Sequence, residues 1–128
     1  MKYMMDTCTF IWYLTKNKNL SDNVKEIIYN SDEVYISFAT LWEIAIKQTI
    51  GKLGVITMSI FDLVEFCQDN GIIIIPLKFA YLEKTKQLPL IHRDPFDRII
   101  IASAIEEDYT LLTDDENIKQ YSEVKTLW

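Results

Sequence analysis

The side chains of this sequence best suited to chemistry are carboxylates, and they come from separate segments: Asp6, Glu43, the pair Asp94 and Asp97, and the pair Asp114 and Asp115. The densest group is "HRDPFDRIIIASA", His92 to Ala104, in which a histidine, two arginines and two aspartates precede an almost wholly apolar run. His92 is the sole histidine, which excludes multi-histidine zinc chemistry, and it reads as a loop residue without catalytic duty. Cys8 and Cys67 lack metal-ligand spacing. If the acids converge, ionised carboxylates sharing one small site need cations to neutralise them. Hard oxygen donors of this kind suit Mg²⁺ or Mn²⁺.

Each acid also has a local explanation. Asp6, or Thr7 beside it, can cap the helix through "TFIWYL", and taken alone that is sufficient. Asp94 at N-cap, Pro95 at the first helical position and Asp97 at the third form an ordinary helix start, favoured by the macrodipole. Asp97 nevertheless shares a face with Ile100, Ile101 and Ala104, so one carboxylate can cap while the other points inward. Thr113 or Asp114 can cap a short helix beginning near Glu116. Glu43 has two readings of equal weight. With Thr40 as the cap, it closes a capping box over Thr40-Leu-Trp-Glu43. With Ser37 as the cap, it lies nearly two turns inside the helix, on an apolar stripe with Ile46 and Ile50, where a carboxylate without a partner is costly.

The elements that must position these acids alternate in type. "KYMM" (residues 2–5) reads as a buried strand ending at Asp6, and "LSDNVKEIIYNSD" as an amphipathic helix capped by Ser21. "EVYISF" is a strand, and "TLWEIAIKQTIGKL" a helix that stops near Gly51. "SIFDLVEFCQDNG" is a helix closed by Asn70 and Gly71, and "IIIIPL" a strand whose continuous β-branched character predicts cover on both faces. Helices through "FAYLEKTKQ" and from Pro95 to about Asp108 follow, then the strands "YTLLTDD" and "VKTLW". The alternation predicts a single α/β domain over residues 1–128 with a mostly parallel, twisted sheet flanked by helices. Ligands in such sheets sit beyond the carboxyl ends of the strands, where Asp6 and the Asp114–Asp115 pair emerge.

The composition suits one folded domain: 128 residues, 49% hydrophobic and 25% charged, with three glycines and three prolines. A net charge of −6 excludes a broad basic surface for holding nucleic acid but not an enzyme that cuts it, since cations can stand between an acidic site and a polyanion. Lys47, Lys52, Arg93 and Arg98 could meet phosphates around such a site. No apolar run approaches the length of a membrane span, Asp6 interrupts any signal-peptide core, and two cysteines are too few for a disulfide scaffold. A cytoplasmic protein is expected.

Four segments together, "MMDTCTFIWYL", "VYISFATLWEIAIKQTIGKL", "LPLIHRDPFDRIIIASA" and "TLLTDDENI", resemble the PIN-domain family, most closely its VapC-type toxins of bacterial toxin–antitoxin pairs. The specific signal is "SxxxLWEIAIK" followed at this distance by "HxDPFDRxxIAxA" and "LLTxD". The resemblance implies a three-layer PIN-like fold with a central parallel sheet. It implies a metal-dependent endoribonuclease that hydrolyses RNA phosphodiesters to a 5′-phosphate and a 3′-hydroxyl. Asp6, Glu43, Asp97 and Asp115 match the acidic quartet that binds one or two divalent cations; Thr113 matches the polar residue beside the last acid, and Asp94 the accessory acid. In "DTCTF", Cys8 and Thr9 replace the family's usual pair, at positions that are not acid ligands.

The resemblance also implies a cognate antitoxin covering the acidic cleft and a homodimer. The sequence adds that "FIWYL" and "TLWEIAI" carry more large apolar residues than one small core needs. Two other functions compete: a catalytically silent PIN-fold binding module, and an aspartate phosphatase or phosphotransferase with Asp6 as nucleophile. The second is weakened by Cys8, which occupies the place where a second acid would be needed.

Overall fold

Met4 and Met5 are adjacent in sequence and fully buried, yet they belong to different cores. Successive side chains of a strand point to opposite faces of its sheet, so a three-residue strand can serve two apolar layers only from the centre of that sheet. In the computed structural model, which describes residues 1–54 and 56–128, this strand is indeed central.

The described strands are β1 (Tyr3–Met5), β2 (Val34–Ser37), β3 (Ile72–Ile75), β4 (Thr110–Leu112) and β5 (Lys125–Leu127), in the sheet order β3-β2-β1-β4-β5. The expected mostly parallel sheet is parallel at every pairing: Tyr3 stands opposite both Val34 and Thr110, Ile36 opposite Ile74, and Leu111 opposite Thr126. The helices are α1 (Thr7–Thr15), α2 (Asp22–Asn30), α3 (Phe38–Thr49), α4 (Ile60–Asp69), α5 (Phe79–Gln87), α6 (Pro95–Glu107) and α7 (Glu116–Lys119). Met4, Tyr35 and Leu111 face a core shared with α5 and α6, while Met5, Ile36 and Leu112 face one shared with α1, α2 and α4. The result is three layers, helix over sheet over helix.

Local chemistry starts α2 and α6 where the sequence suggested. Ser21 accepts from the Val24 N–H, and Asp94 from the N–H groups of Phe96 and Asp97 with Pro95 behind it. Beyond α4 the chain turns at Gly71, whose φ of 67° is left-handed and favours glycine. Within α6, Ile99 through Ala104 are all buried, because the helix packs against α5, α3 and the sheet together. The expected inward face of Ile100, Ile101 and Ala104 is among them.

One strand differs from expectation. "IIIIPL" predicted a strand covered on both faces, but β3 lies at the sheet edge and Ile73 is 42% exposed. A run of β-branched residues sets strand propensity without setting strand order, and order is fixed by contacts distant in sequence.

The strand order reverses direction at β1. The chain leaves β1 for β2 on one side and later places β4 on the other, which opens a crevice at the carboxyl ends of β1 and β4.

Candidate active site

Asp6 follows β1 directly, and its N–H donates to Leu112 O at 3.3 Å. Its side chain caps α1 as expected, with Oδ1 accepting from the Thr9 N–H at 2.8 Å. Capping uses one oxygen only. Oδ2 accepts from the hydroxyl of Thr113, just past β4, and that hydroxyl also accepts from the Asp115 N–H at 3.1 Å. Thr113 therefore ties the ends of the two central strands together and sets the positions of both aspartates. Asp6 is 3% exposed, and burial raises its pKa against the lowering effect of these hydrogen bonds.

For α7 the expected cap was Thr113 or Asp114, and the structure gives the role to Asp115. Its Oδ1 accepts from the N–H groups of Asn117 and Ile118, at 2.8 and 3.3 Å. Thr113 is occupied with Asp6, and Asp114 pairs with Lys119 at 3.3 Å.

The two readings of Glu43 are also resolved. Ser37 caps α3, its Oγ accepting from the Ala39 N–H at 3.0 Å, while the Thr40 hydroxyl meets that of Thr7 at 3.2 Å. The capping box is absent. Glu43 lies inside the helix and is buried, but the stripe proposed for it is not: Ile46 and Ile50 are 40% and 58% exposed. Glu43 turns instead toward the crevice, where Oε2 meets Lys47 Nζ at 2.9 Å. Oε1 has no partner, the only such buried side-chain atom among the described residues. The ion pair raises the Lys47 pKa.

Asp97 completes the group from the first turn of α6. Burial, then the charges of Asp94 and Glu43, push its pKa up to about 7. Asp6, Glu43, Asp94, Asp97, Asp114 and Asp115 line one cavity of about 320 Å³, with Lys47 the one basic residue in its wall. Cys8 sits there too, its thiol pushed up to about 11 by burial and then by the charge of Asp6, so it stays protonated near neutral pH.

His92, expected to be an idle loop residue, meets two of these acids. Its Nε2 lies 3.0 Å from Asp97 Oδ2 and 3.1 Å from Asp115 Oδ2. Among the described residues, His92, Asp97 and Asp115 are the group whose donor atoms all lie within 4.8 Å of one another; Asp6 and Glu43 share the cavity but are not in it. The available sequence signal was the spacing to Asp94, since a histidine two residues before a helix cap can accept that cap's N–H, as Nδ1 does here at 3.2 Å.

The four basic residues considered for phosphate contact separate into distinct roles. Lys52 and Arg93 are exposed, and Lys47 is paired with Glu43. Arg98 turns inward: Nη1 donates to Pro89 O at 2.8 Å, and Nη2 to Thr85 O and Leu88 O at 2.7 and 3.2 Å. Its guanidinium organises the segment leading to His92 and is not free for phosphate. Five donors in a rigid fork suit that task, and sequence alone does not reveal which acceptors they reach.

Comparison with known proteins agrees with this architecture. The sequence matches the PIN domain family over residues 3–124. Similar solved structures include VapBC2 from Rickettsia felis bound to a DNA fragment from its promoter, with TM-score 0.72 and 20% identity, covering 99% of this chain and 98% of that one. DNA-bound VapBC from Salmonella typhimurium gives TM-score 0.69 and 18% identity, covering 99% and 97%. VapBC-1 from nontypeable Haemophilus influenzae gives TM-score 0.68 and 17% identity, with the same coverage. No curated protein matches the sequence at a significant level. With the family matched across almost the whole chain and the layered parallel sheet in place, the chain belongs to the PIN domain family.

Proposed function

We propose that this chain is a divalent-metal-dependent endoribonuclease and the toxin of a toxin–antitoxin pair, acting in the cytoplasm, with Asp6, Glu43, Asp97 and Asp115 as its working acids. The observation that carries the proposal is the orphaned Oε1 of Glu43, buried in a cavity shared with three other candidate acids. A Mg²⁺ or Mn²⁺ ion suits these oxygen donors, would satisfy Oε1, and would favour the ionised form of Asp97. When bound, such an ion supplies Lewis acidity toward a phosphodiester and makes water a stronger acid.

The chain's own residues divide the remaining work. Asp6 and Asp115 are held rigidly through the Thr113 hydroxyl, so their carboxylates need little reorganisation. Asp97 and Glu43 approach from α6 and α3 and would complete the ligand set or orient the attacking water. Asp94 is committed to capping and acts on Asp97 through its charge. Lys52 and Arg93 are exposed for RNA phosphates, and Lys47 could share its charge between Glu43 and substrate. Asp6 makes a poor phosphatase nucleophile, because both of its oxygens accept hydrogen bonds and it is almost wholly buried.

An apolar groove of about 550 Å³ adjoins the acids, with Trp42, Leu77, Leu82, Leu90 and Phe96 among its walls. Trp42 is next to Glu43 in sequence and packs edge-on against Phe96, next to Asp97. The groove supports an antitoxin segment lying beside the acidic cavity, and exposed Trp42, Ile46 and Ile50 supply apolar surface for a homodimer. The surplus expected on "FIWYL" is smaller, since Phe10 is buried and residues 11–14 are partly covered. Among the described residues no helix is long and apolar enough to cross a membrane.

Purified protein with Mn²⁺ and single-stranded RNA is expected to produce new 5′-phosphate ends. Excess EDTA should abolish them, and Asp97→Asn should slow cleavage by roughly 100-fold or more. Equal cutting by the variant, or in EDTA, would refute the proposal. Absence of measurable Mn²⁺ or Mg²⁺ binding by calorimetry would favour the silent binding module. A monomer that ignores the product of the neighbouring gene would remove the partner part alone.

A further inference from the structure

His92 offers a nitrogen to the donor group closest together among the described residues, and the simplest reading makes it a metal ligand. The hydrogen bonds argue otherwise. The backbone N–H of Asp94 points at Nδ1 from 3.2 Å, and a backbone amide can only donate. Nδ1 is therefore the unprotonated nitrogen, and the ring proton resides on Nε2. Nε2–H then donates to Asp115 Oδ2 at 3.1 Å, with Asp97 Oδ2 3.0 Å from the same nitrogen in close contact but outside hydrogen-bond geometry, and no lone pair is left for a cation. Ligation through Nε2 would require the opposite tautomer and would set two protons against each other at Nδ1.

The ring is held where these two contacts need it. The His92 N–H donates to Tyr121 Oη at 2.8 Å, and Tyr121 Oη donates to Pro89 O at 2.8 Å. The His92 carbonyl accepts from Arg98 Nη1 at 3.4 Å. Asp97 belongs to α6 and Asp115 caps α7, two elements without a direct bond between these carboxylates. Like charges at this separation repel, and the imidazole edge lying against both, bonded to Asp115 and 3.0 Å from Asp97, offsets that repulsion.

We propose that His92 is a positioning residue: its ring, hydrogen-bonded to Asp115 and in close contact with Asp97, holds the two carboxylates in the arrangement a divalent cation needs, without itself binding the cation. This inference rests on the metal site proposed above.

The test uses the full chain with Mn²⁺ alone, read by calorimetry and by pulsed electron paramagnetic resonance. His92→Ala removes both contacts and is expected to weaken Mn²⁺ binding roughly 10- to 100-fold, the usual effect of losing a residue that orients ligands. His92→Gln places an amide N–H near the position of Nε2–H and is expected to recover most of that loss. In the wild type, Mn²⁺ should show no coupling to a directly bound ring nitrogen. Direct nitrogen coupling would overturn the proposal in favour of ligation. So would an unchanged Mn²⁺ affinity in His92→Ala with only a lowered unfolding temperature, which marks a purely structural role. If His92→Ala does not fold, a His92→Gln protein that folds but binds Mn²⁺ as poorly as an Asp97→Asn control overturns it. Failure of the wild type to bind Mn²⁺ at all would instead remove the underlying metal site, so the two failures are distinguishable.

Discussion

Asp97 carries an electrostatic load that makes its own prediction. Burial and neighbouring acids raise its pKa to about 7, from an ordinary 3.8, so the folded state binds its proton more tightly than the unfolded state does. The resulting stability is fully present below the unfolded value and is lost as pH rises toward about 7. Asp6, raised by burial, acts in the same direction. In EDTA, the wild type is therefore expected to lose thermal stability between about pH 4 and 7 from Asp97, with Asp6 adding a loss of the same sign as pH rises. Asp97→Asn should flatten part of that slope, and Mn²⁺ should counteract it near neutral pH. Differential scanning calorimetry across the range checks this; an identical slope in Asp97→Asn would show that its proton is not responsible. At this scale the sequence disclosed which residues are acids, but not which oxygens remain unsatisfied. Glu43 was equally consistent with a cap and with a buried charge until Ser37 took the cap.

Among the elements, the segment from α5 to α6 depends on one side chain. Arg98 satisfies the carbonyls of Thr85, Leu88 and Pro89, and all three would lose charged donors if it were truncated. Arg98→Ala is expected to destabilise the protein by about 2–4 kcal/mol in urea unfolding, and to lower Mn²⁺ affinity through the displaced His92. A destabilisation below about 0.5 kcal/mol would mean that water replaces those bonds easily. Ser21, and Asp94 with Pro95, announced their helices because capping is decided within a few residues. The roles of Arg98, His92 and the edge strand β3 were hidden because each depends on segments brought together only by the fold. The first two sat in a motif that otherwise read as an ordinary helix start, and the third in a run of isoleucines that says nothing about its neighbours.

For the whole molecule, the parallel sheet with its reversal at β1 explains why four acids separated by up to 109 positions in the chain share one cavity. The same arrangement leaves that cavity with almost no free positive charge. Lys47 is paired with Glu43, Lys119 with Asp114, and Arg98 is turned toward backbone carbonyls. An RNA phosphate approaching the apo protein would meet like charge at close range. The order of encounter then becomes a kinetic property of the fold: the cation must precede the polyanion. Filter binding with a non-hydrolysable RNA is expected to detect little complex in EDTA and to show an apparent RNA Kd that falls as Mn²⁺ is raised. Equal RNA affinity with and without metal would contradict this order. With Lys47 paired inside the cavity and Lys52 and Arg93 outside its wall, capture of the scissile phosphate, and not hydrolysis alone, becomes conditional on the divalent ion supply.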